Sequence, residues 1–116
     1  MGTHIKKAKD IHLYKGKTFA LAGIAITRKI AATRNRQPME FVTFEDETDL
    51  YECVMFPETY KTFGDLLNWE TLFLIQGKVE EAYSVYTVTI EKLISLTQMI
   101  KRIKETKTVL TESLSQ

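Results

Sequence analysis

The chain has one cysteine, two prolines, two histidines and five glycines among its 116 residues, and each scarcity closes off a class of protein. A lone Cys53 permits neither an internal disulfide framework nor a cysteine metal site, which makes a reducing compartment, the cytoplasm, the simpler expectation. His4 and His12 lie in a lysine-rich N-terminal stretch with no cysteine or carboxylate at ligand spacing around them, so they read as incidental surface residues. No nucleophile elbow, phosphate-cradling glycine loop or histidine zinc motif occurs. A catalytic role and a bound cofactor or metal are therefore not expected. The acidic run Glu45, Asp46, Glu47 and Asp49 lacks the glycine and distal glutamate of a calcium loop and reads as a solvated turn.

No apolar run is long enough to span a bilayer. Lys6, Lys7, Lys9, Lys15 and Lys17 precede an apolar run at 19–26, an arrangement that superficially copies a secretory signal; the run is short, flows into Arg28 and Lys29 without a cleavage site, and suits a strand better. The net charge is +1, so the chain as a whole carries no strong field. Cations nevertheless gather at 6–17, at Arg28, Lys29, Arg34 and Arg36, and at 101–107, while acids gather at 45–49 and 80–81. Such segregation permits a local basic groove on a nearly neutral surface.

What is present is strand alternation. In 39–45, Phe41, Thr43 and Glu45 share one face and Val42 and Phe44 the other, the period of two of a strand buried on one side. After an acidic turn at 46–49, Tyr51, Cys53 and Met55 alternate with Glu52 and Val54, making a hairpin. The stretch 17–33 is rich in β-branched and small apolar residues, and Gly23 within it predicts a bulge or sharp bend in a long curved strand. Pro57 suits the first turn of a helix, with Tyr60, Phe63 and Leu67 at helical spacing and the end at 68–70. The stretch 71–79 reads as a strand in which Leu72, Phe73, Leu74 and Ile75 are apolar in succession, as at a barrel seam, and Gly77 marks a second candidate bulge. Tyr86, Val88 and Ile90 alternate with polar neighbours in 84–93.

This inventory is all-β: a five-stranded Greek-key barrel, the OB-fold, with one short helix between strands three and four and a C-terminal helix. The chain divides into a basic N-terminal arm at 1–16, the barrel at 17–94, and a C-terminal helix and tail at 95–116. A single domain of this length buries roughly two-thirds of its unfolded surface. Leu96, Met99, Ile100 and Ile103 at helical spacing predict a terminal helix packed on the barrel, with a partner-binding helix as the alternative and a frayed tail beyond Thr108.

The segments Ala22-Gly23-Ile24, Pro38-Met39-Glu40-Phe41-Val42-Thr43-Phe44-Glu45-Asp46-Glu47-Thr48 and Phe56-Pro57-Glu58-Thr59-Tyr60 together resemble the OB domain of the bacterial DNA polymerase III alpha subunit. Gln76-Gly77-Lys78-Val79-Glu80-Glu81 and Tyr86-Thr87-Val88-Thr89 continue the match, which covers 17–93. The resemblance implies a nucleic-acid-binding module that touches single-stranded template beside a polymerase, with the catalytic polymerase domain absent, and the polymerase or other replication subunits as partners. Two departures stand out. Asp49 replaces a turn glycine, and Arg34-Asn35-Arg36-Gln37 replaces a lysine- and glycine-rich first loop. Whether the chain is an excised domain or a free-standing relative, and its oligomeric state, stay open in the sequence.

OB-folds hold single strands on the face of strands two and three, between the loops that join strands one to two and four to five. Here that maps to Phe41, Thr43 and Glu52 on the face, Arg34, Asn35, Arg36 and Gln37 in the first loop, and Glu81, Tyr83 and Ser84 in the second. Phe41 is the leading base-stacking candidate; its alternative is packing under the first loop or the terminal helix. Arg28, Lys29, Arg34 and Arg36 are candidates to neutralise phosphates. Four such contacts give a single-strand salt slope of about −2.8. A protein-docking module for a replication subunit and a tRNA-binding domain are the competing readings.

Overall fold

The computed structural model describes residues 5–82 and 84–114. Its strands are β1 (Ile5–Lys6), β2 (Thr18–Ala32), β3 (Pro38–Glu45), β4 (Leu50–Met55), β5 (Leu72–Ala82) and β6 (Val85–Ser95). Helices α1 (Pro57–Phe63), α2 (Leu66–Trp69) and α3 (Leu96–Leu114) follow β4 and β6, and a 3-10 stretch, Ala8–Tyr14, precedes β2. The sheet runs β1-β2-β3-β4-β6-β5 and closes because β2 also pairs with β5. One long strand serves both neighbours: residues 18–24 of β2 face β5, and 24–32 face β3. The parallel β4–β6 pair completes a five-strand barrel, with β1 as an added edge beside Ala20 and Leu21.

The alternation read from the sequence sets the inside. Val42, Cys53, Val88 and Val79 lie in register across four strands and are all buried. Phe44 stacks on Tyr51 with ring centroids 5.8 Å apart and meets the edge of Phe73 at 6.0 Å. Fully burying each such large apolar side chain contributes about 1.5–3 kcal/mol. Burial raises the Tyr51 phenol well above its ordinary value, so it stays protonated and donates to the Ala22 carbonyl at 2.7 Å. That bond explains Gly23: a Cβ there would collide with the Tyr51 hydroxyl and sit 3.0 Å from Phe44. The expected bulge lies elsewhere, as a register shift between Ala25 and Thr27. At Gly77 the expectation holds, for the β5–β6 register shifts between Gln76 and Gly77.

Both barrel ends are closed. At one, α1 and α2 bury Leu67 and pack Tyr60, Phe63 and Leu66 on the core; the single helix expected at 57–67 is broken near Gly64 into two short ones. At the other, the N-terminal stretch is not a free basic arm: Ala8 is buried, and Ile11 and Tyr14 pack on the core. Among the described residues two of its five lysines are ion-paired, Lys7 to Glu47 at 3.7 Å and Lys15 to Glu81 at 2.8 Å.

Asp46 is the clasp for that end. Its Oδ1 accepts from the Thr48 amide at 2.7 Å and hydroxyl at 2.6 Å and from the Asp49 amide at 3.0 Å, and its Oδ2 accepts from the Ala8 amide at 2.7 Å. The turn thus needs no left-handed residue at position 49: only Arg36 and Ser84 among the described non-glycine residues have positive φ, and aspartate in place of glycine is accommodated. Partial burial acts to raise the Asp46 carboxyl, but the bonds from Thr48, Ala8 and Asp49 outweigh it and hold the group below its ordinary 3.8. A folded pKa below the unfolded one means the stabilisation is present above that value and lost as pH falls through the folded pKa. Replacing Asp46 with Ala should cost about 2 kcal/mol, the scale of a hydrogen bond to a charged acceptor. Hydrogen-exchange protection of the Ala8 and Lys9 amides, relative to their intrinsic rates at each pH, should fall in that variant, and in the parent at low pH.

Helix α3 departs most from expectation. Ser95 caps it, its hydroxyl accepting from the Gln98 amide at 3.1 Å, and Gln98 donates to Glu70 at 3.0 Å. Beyond this first turn it leaves the barrel instead of packing along it: none of its residues is buried. The molecule is accordingly elongated, 61 × 32 × 23 Å. The segment beyond Thr108, expected to fray, remains helical to Leu114.

Candidate nucleic-acid interface

Because Val42 and Phe44 point inward, Phe41 must point out, and it does: its ring is 42% exposed. Strand register sets its surroundings. Lys29, Phe41, Val54 and Thr89 lie in register across β2, β3, β4 and β6, with Val54 itself buried at 5% exposure beside Phe41, and Thr27, Thr43, Glu52 and Thr87 form the next row. The Thr43 hydroxyl donates to both Glu52 carboxylate oxygens, at 2.8 and 2.9 Å, which holds that acid against the sheet. The face therefore carries one open aromatic ring, with a lysine on one side and a restrained carboxylate one row away.

The β2–β3 loop flanks this face. The Thr33 amide donates to the Gln37 carbonyl and the Arg36 amide to the Thr33 carbonyl, both at 2.9 Å, and the Gln37 amide donates to the Thr33 hydroxyl at 3.2 Å. This tight closure forces Arg36 to φ 61°, a left-handed conformation costing roughly 1–2 kcal/mol for a residue with a Cβ. Arg34, Asn35, Arg36 and Gln37 are all exposed. Glycine relieves the strain and removes a cation, so Arg36→Gly should leave the melting temperature unchanged or raised. If Arg36 touches a phosphate, the same variant should flatten the salt slope of single-strand binding by about 0.7.

Arg28 is placed differently from the expectation. It lies in register with the inward Val42, and its Nε and Nη2 donate to Glu40 at 2.5 and 3.2 Å while Nη1 donates to Asn68 at 2.8 Å. Hydrogen bonding to Glu40 raises the guanidinium further above its already high value. Arg28 thus ties β2, β3 and α2 together while its own side chain keeps access to solvent, and Lys29, Arg34 and Arg36 remain as open cations near the face. Glu40, buried completely, is the structural residue that motif reading passed over. Its signal was a carboxylate in the same strand phase as Val42 and Phe44. Tyr83 lies outside the described residues. Beside it, Glu81 is held by Lys15, whose hydrogen bond lowers the carboxyl as its own pKa rises.

A groove of about 500 Å³ opens where the β2–β3 loop meets α1, lined by Gln37, Pro38, Pro57, Glu58, Tyr60 and Lys61. Only Gln37 among these was a sequence candidate for binding; Pro38 opens β3, and Pro57, Glu58, Tyr60 and Lys61 come from α1, read from sequence only as an amphipathic helix. Among the described residues no cluster of histidine, cysteine, aspartate and glutamate is arranged to hold a metal ion, and no helix is long and apolar enough to cross a membrane.

Comparison with known proteins agrees with this geometry. Residues 19–96 match the family model described as an OB-fold nucleic acid binding domain. Among curated proteins the chain is 29% identical over 86 residues to the DNA polymerase III subunit alpha of Halalkalibacterium halodurans, covering 73% of this chain and 8% of that one. The chain spans less than a tenth of the length of the polymerase subunits it matches. Among solved structures, asparaginyl-tRNA synthetase from Pyrococcus horikoshii superposes with TM-score 0.63 at 18% identity, over 82% of this chain and 23% of that one. The mitochondrial single-stranded DNA binding protein Rim1 of S. cerevisiae superposes with TM-score 0.58 at 9% identity, over 71% of this chain and 97% of that one.

Proposed function

The chain belongs to the family of OB-fold nucleic acid binding domains, and from that premise we propose that it is a non-catalytic module that holds single-stranded DNA beside a replication polymerase. The observation that carries the reading is Phe41: a ring 42% exposed in mid-strand, at the centre of the face where OB-folds bind. The face is not covered by α3, which projects away from the barrel. An aromatic platform accepts any base, because every base has a π-face, and a stacked base is worth about 1–3 kcal/mol.

Electrostatics set the strength. With Arg28 engaged by Glu40, three open cations remain, and three phosphate contacts give a slope of about −2.1, or roughly a 20-fold loss of affinity between 50 and 200 mM salt. Glu45 and Glu52 on the same face oppose the polyanion. Binding is therefore weak and largely sequence-tolerant, and it becomes useful when tethering to a polymerase raises the local strand concentration. A cytoplasmic location follows from that role.

Fluorescence anisotropy with labelled oligo-dT, duplex DNA and tRNA tests the proposal. Salt-sensitive binding with oligo-dT preferred over duplex supports it. A preference for tRNA would replace it with a tRNA-binding role. A second reading, docking of a replication subunit, is favoured by α3, whose Ile100, Ile103 and Leu110 are exposed on one side. Absence of oligo-dT binding at high micromolar protein would leave that reading in its place.

A further inference from the structure

We propose that the groove between the β2–β3 loop and α1 takes one unstacked base of the bound strand and prefers guanine there, so that an otherwise tolerant module reads one position. The inference rests on single-strand binding at the Phe41 face.

The groove's volume, about 500 Å³, lies within the range of small-molecule pockets, roughly 300–1,000 Å³. Its walls suit a flat heterocycle: Pro38 and Pro57 supply apolar surface and Tyr60 an aromatic ring. The rim is polar and uncommitted. Among the described residues the Glu58 carboxylate, the Gln37 side-chain carboxamide and the Lys61 ammonium have no hydrogen bond or ion pair, the Gln37 backbone amide being the one that meets Thr33. It lies beside the candidate face along the chain: Gln37 belongs to the loop that flanks that face, and Pro38 is three residues along β3 from Phe41, about 10 Å, in the opposite strand phase.

Glu58 decides the base. An ionised carboxylate only accepts hydrogen bonds, through two oxygens side by side. Guanine presents two adjacent donors, N1–H and the N2 amine, which match that pair, while its O6 accepts from the Gln37 amide or Lys61. Thymine offers a single N3–H between two carbonyl oxygens, which the carboxylate repels. Cytosine and adenine each bring one amine beside an acceptor nitrogen. No covalent step is involved.

The test compares oligo-dT with the same oligomer carrying one dG, and with one deoxyinosine, which lacks the N2 amine. The dG oligomer should bind at least fivefold tighter than oligo-dT, with deoxyinosine between them. Glu58→Gln should remove the preference, bringing the dG oligomer and oligo-dT to the same affinity as each other, with the melting temperature unchanged. Equal affinities in the parent, or a dG preference that survives Glu58→Gln, overturn the inference while single-strand binding stands. Failure of oligo-dT itself to bind overturns the underlying function, and this inference with it.

Discussion

Arg28→Ala should cost about 3–5 kcal/mol of folding stability at neutral pH, the range for leaving one member of a buried ion pair without its partner. The asymmetry of the pair is the reason. Arg28 keeps some access to solvent, its side chain 31% exposed, whereas the Glu40 side chain is 1% exposed. Losing Glu40 leaves a guanidinium that water can partly reach; losing Arg28 leaves a carboxylate that water cannot. Urea unfolding of parent and variant at neutral pH measures the effect. An unchanged unfolding free energy would mean that Glu40 does not need its partner. Replacing both partners with apolar residues of similar volume should recover much of the loss.

Phe41→Ala should weaken oligo-dT binding by about 5- to 150-fold, the equivalent of the 1–3 kcal/mol a stacked base contributes. Stability should move far less. A ring already 42% exposed forfeits only part of its burial on truncation, and its register partner Val54 keeps its own backbone pairing. Phe41→Leu separates the two roles by retaining apolar cover without the π-face: binding should fall and the melting temperature stay. If both variants bind as the parent does, the strand does not pass over this face. If Phe41→Ala unfolds the protein, the ring belongs to the packing. Together with Arg28→Ala, this pair divides two residues of one sheet neighbourhood, one expected to serve the fold and the other the ligand.

Much of this was legible in one dimension. Alternation of period two separated Val42, Phe44, Tyr51, Cys53 and Met55 from Phe41, Thr43 and Glu52, and the structure keeps every one of those phases. Pro57 marked a helix start, and Gly77 a register shift. Gly23 was noticed for the wrong reason: its constraint comes from a tyrosine hydroxyl 28 positions along the chain, which no local pattern reveals. The basic N-terminal residues looked like a free arm because composition shows the charge of Lys7 and Lys15 but not the acids that receive it. Helix α3 shows the converse. Its apolar stripe was visible, and the inference that the stripe covers the barrel failed because the opposite end was already closed by residues 8–14 and the near end by α1 and α2.

The sequence by itself determined strand phase, element order and the outward turn of Phe41, since backbone geometry ties those to residues two to four apart. Only the tertiary structure decided which charges are free: Arg28 is spent on Glu40, Lys15 on Glu81 and Asp46 on Ala8, while Lys29, Arg34 and Arg36 stay open. The physical reason is that each such pairing depends on barrel closure and register bringing together groups 12 to 66 residues apart, where short-range periodicity carries no information.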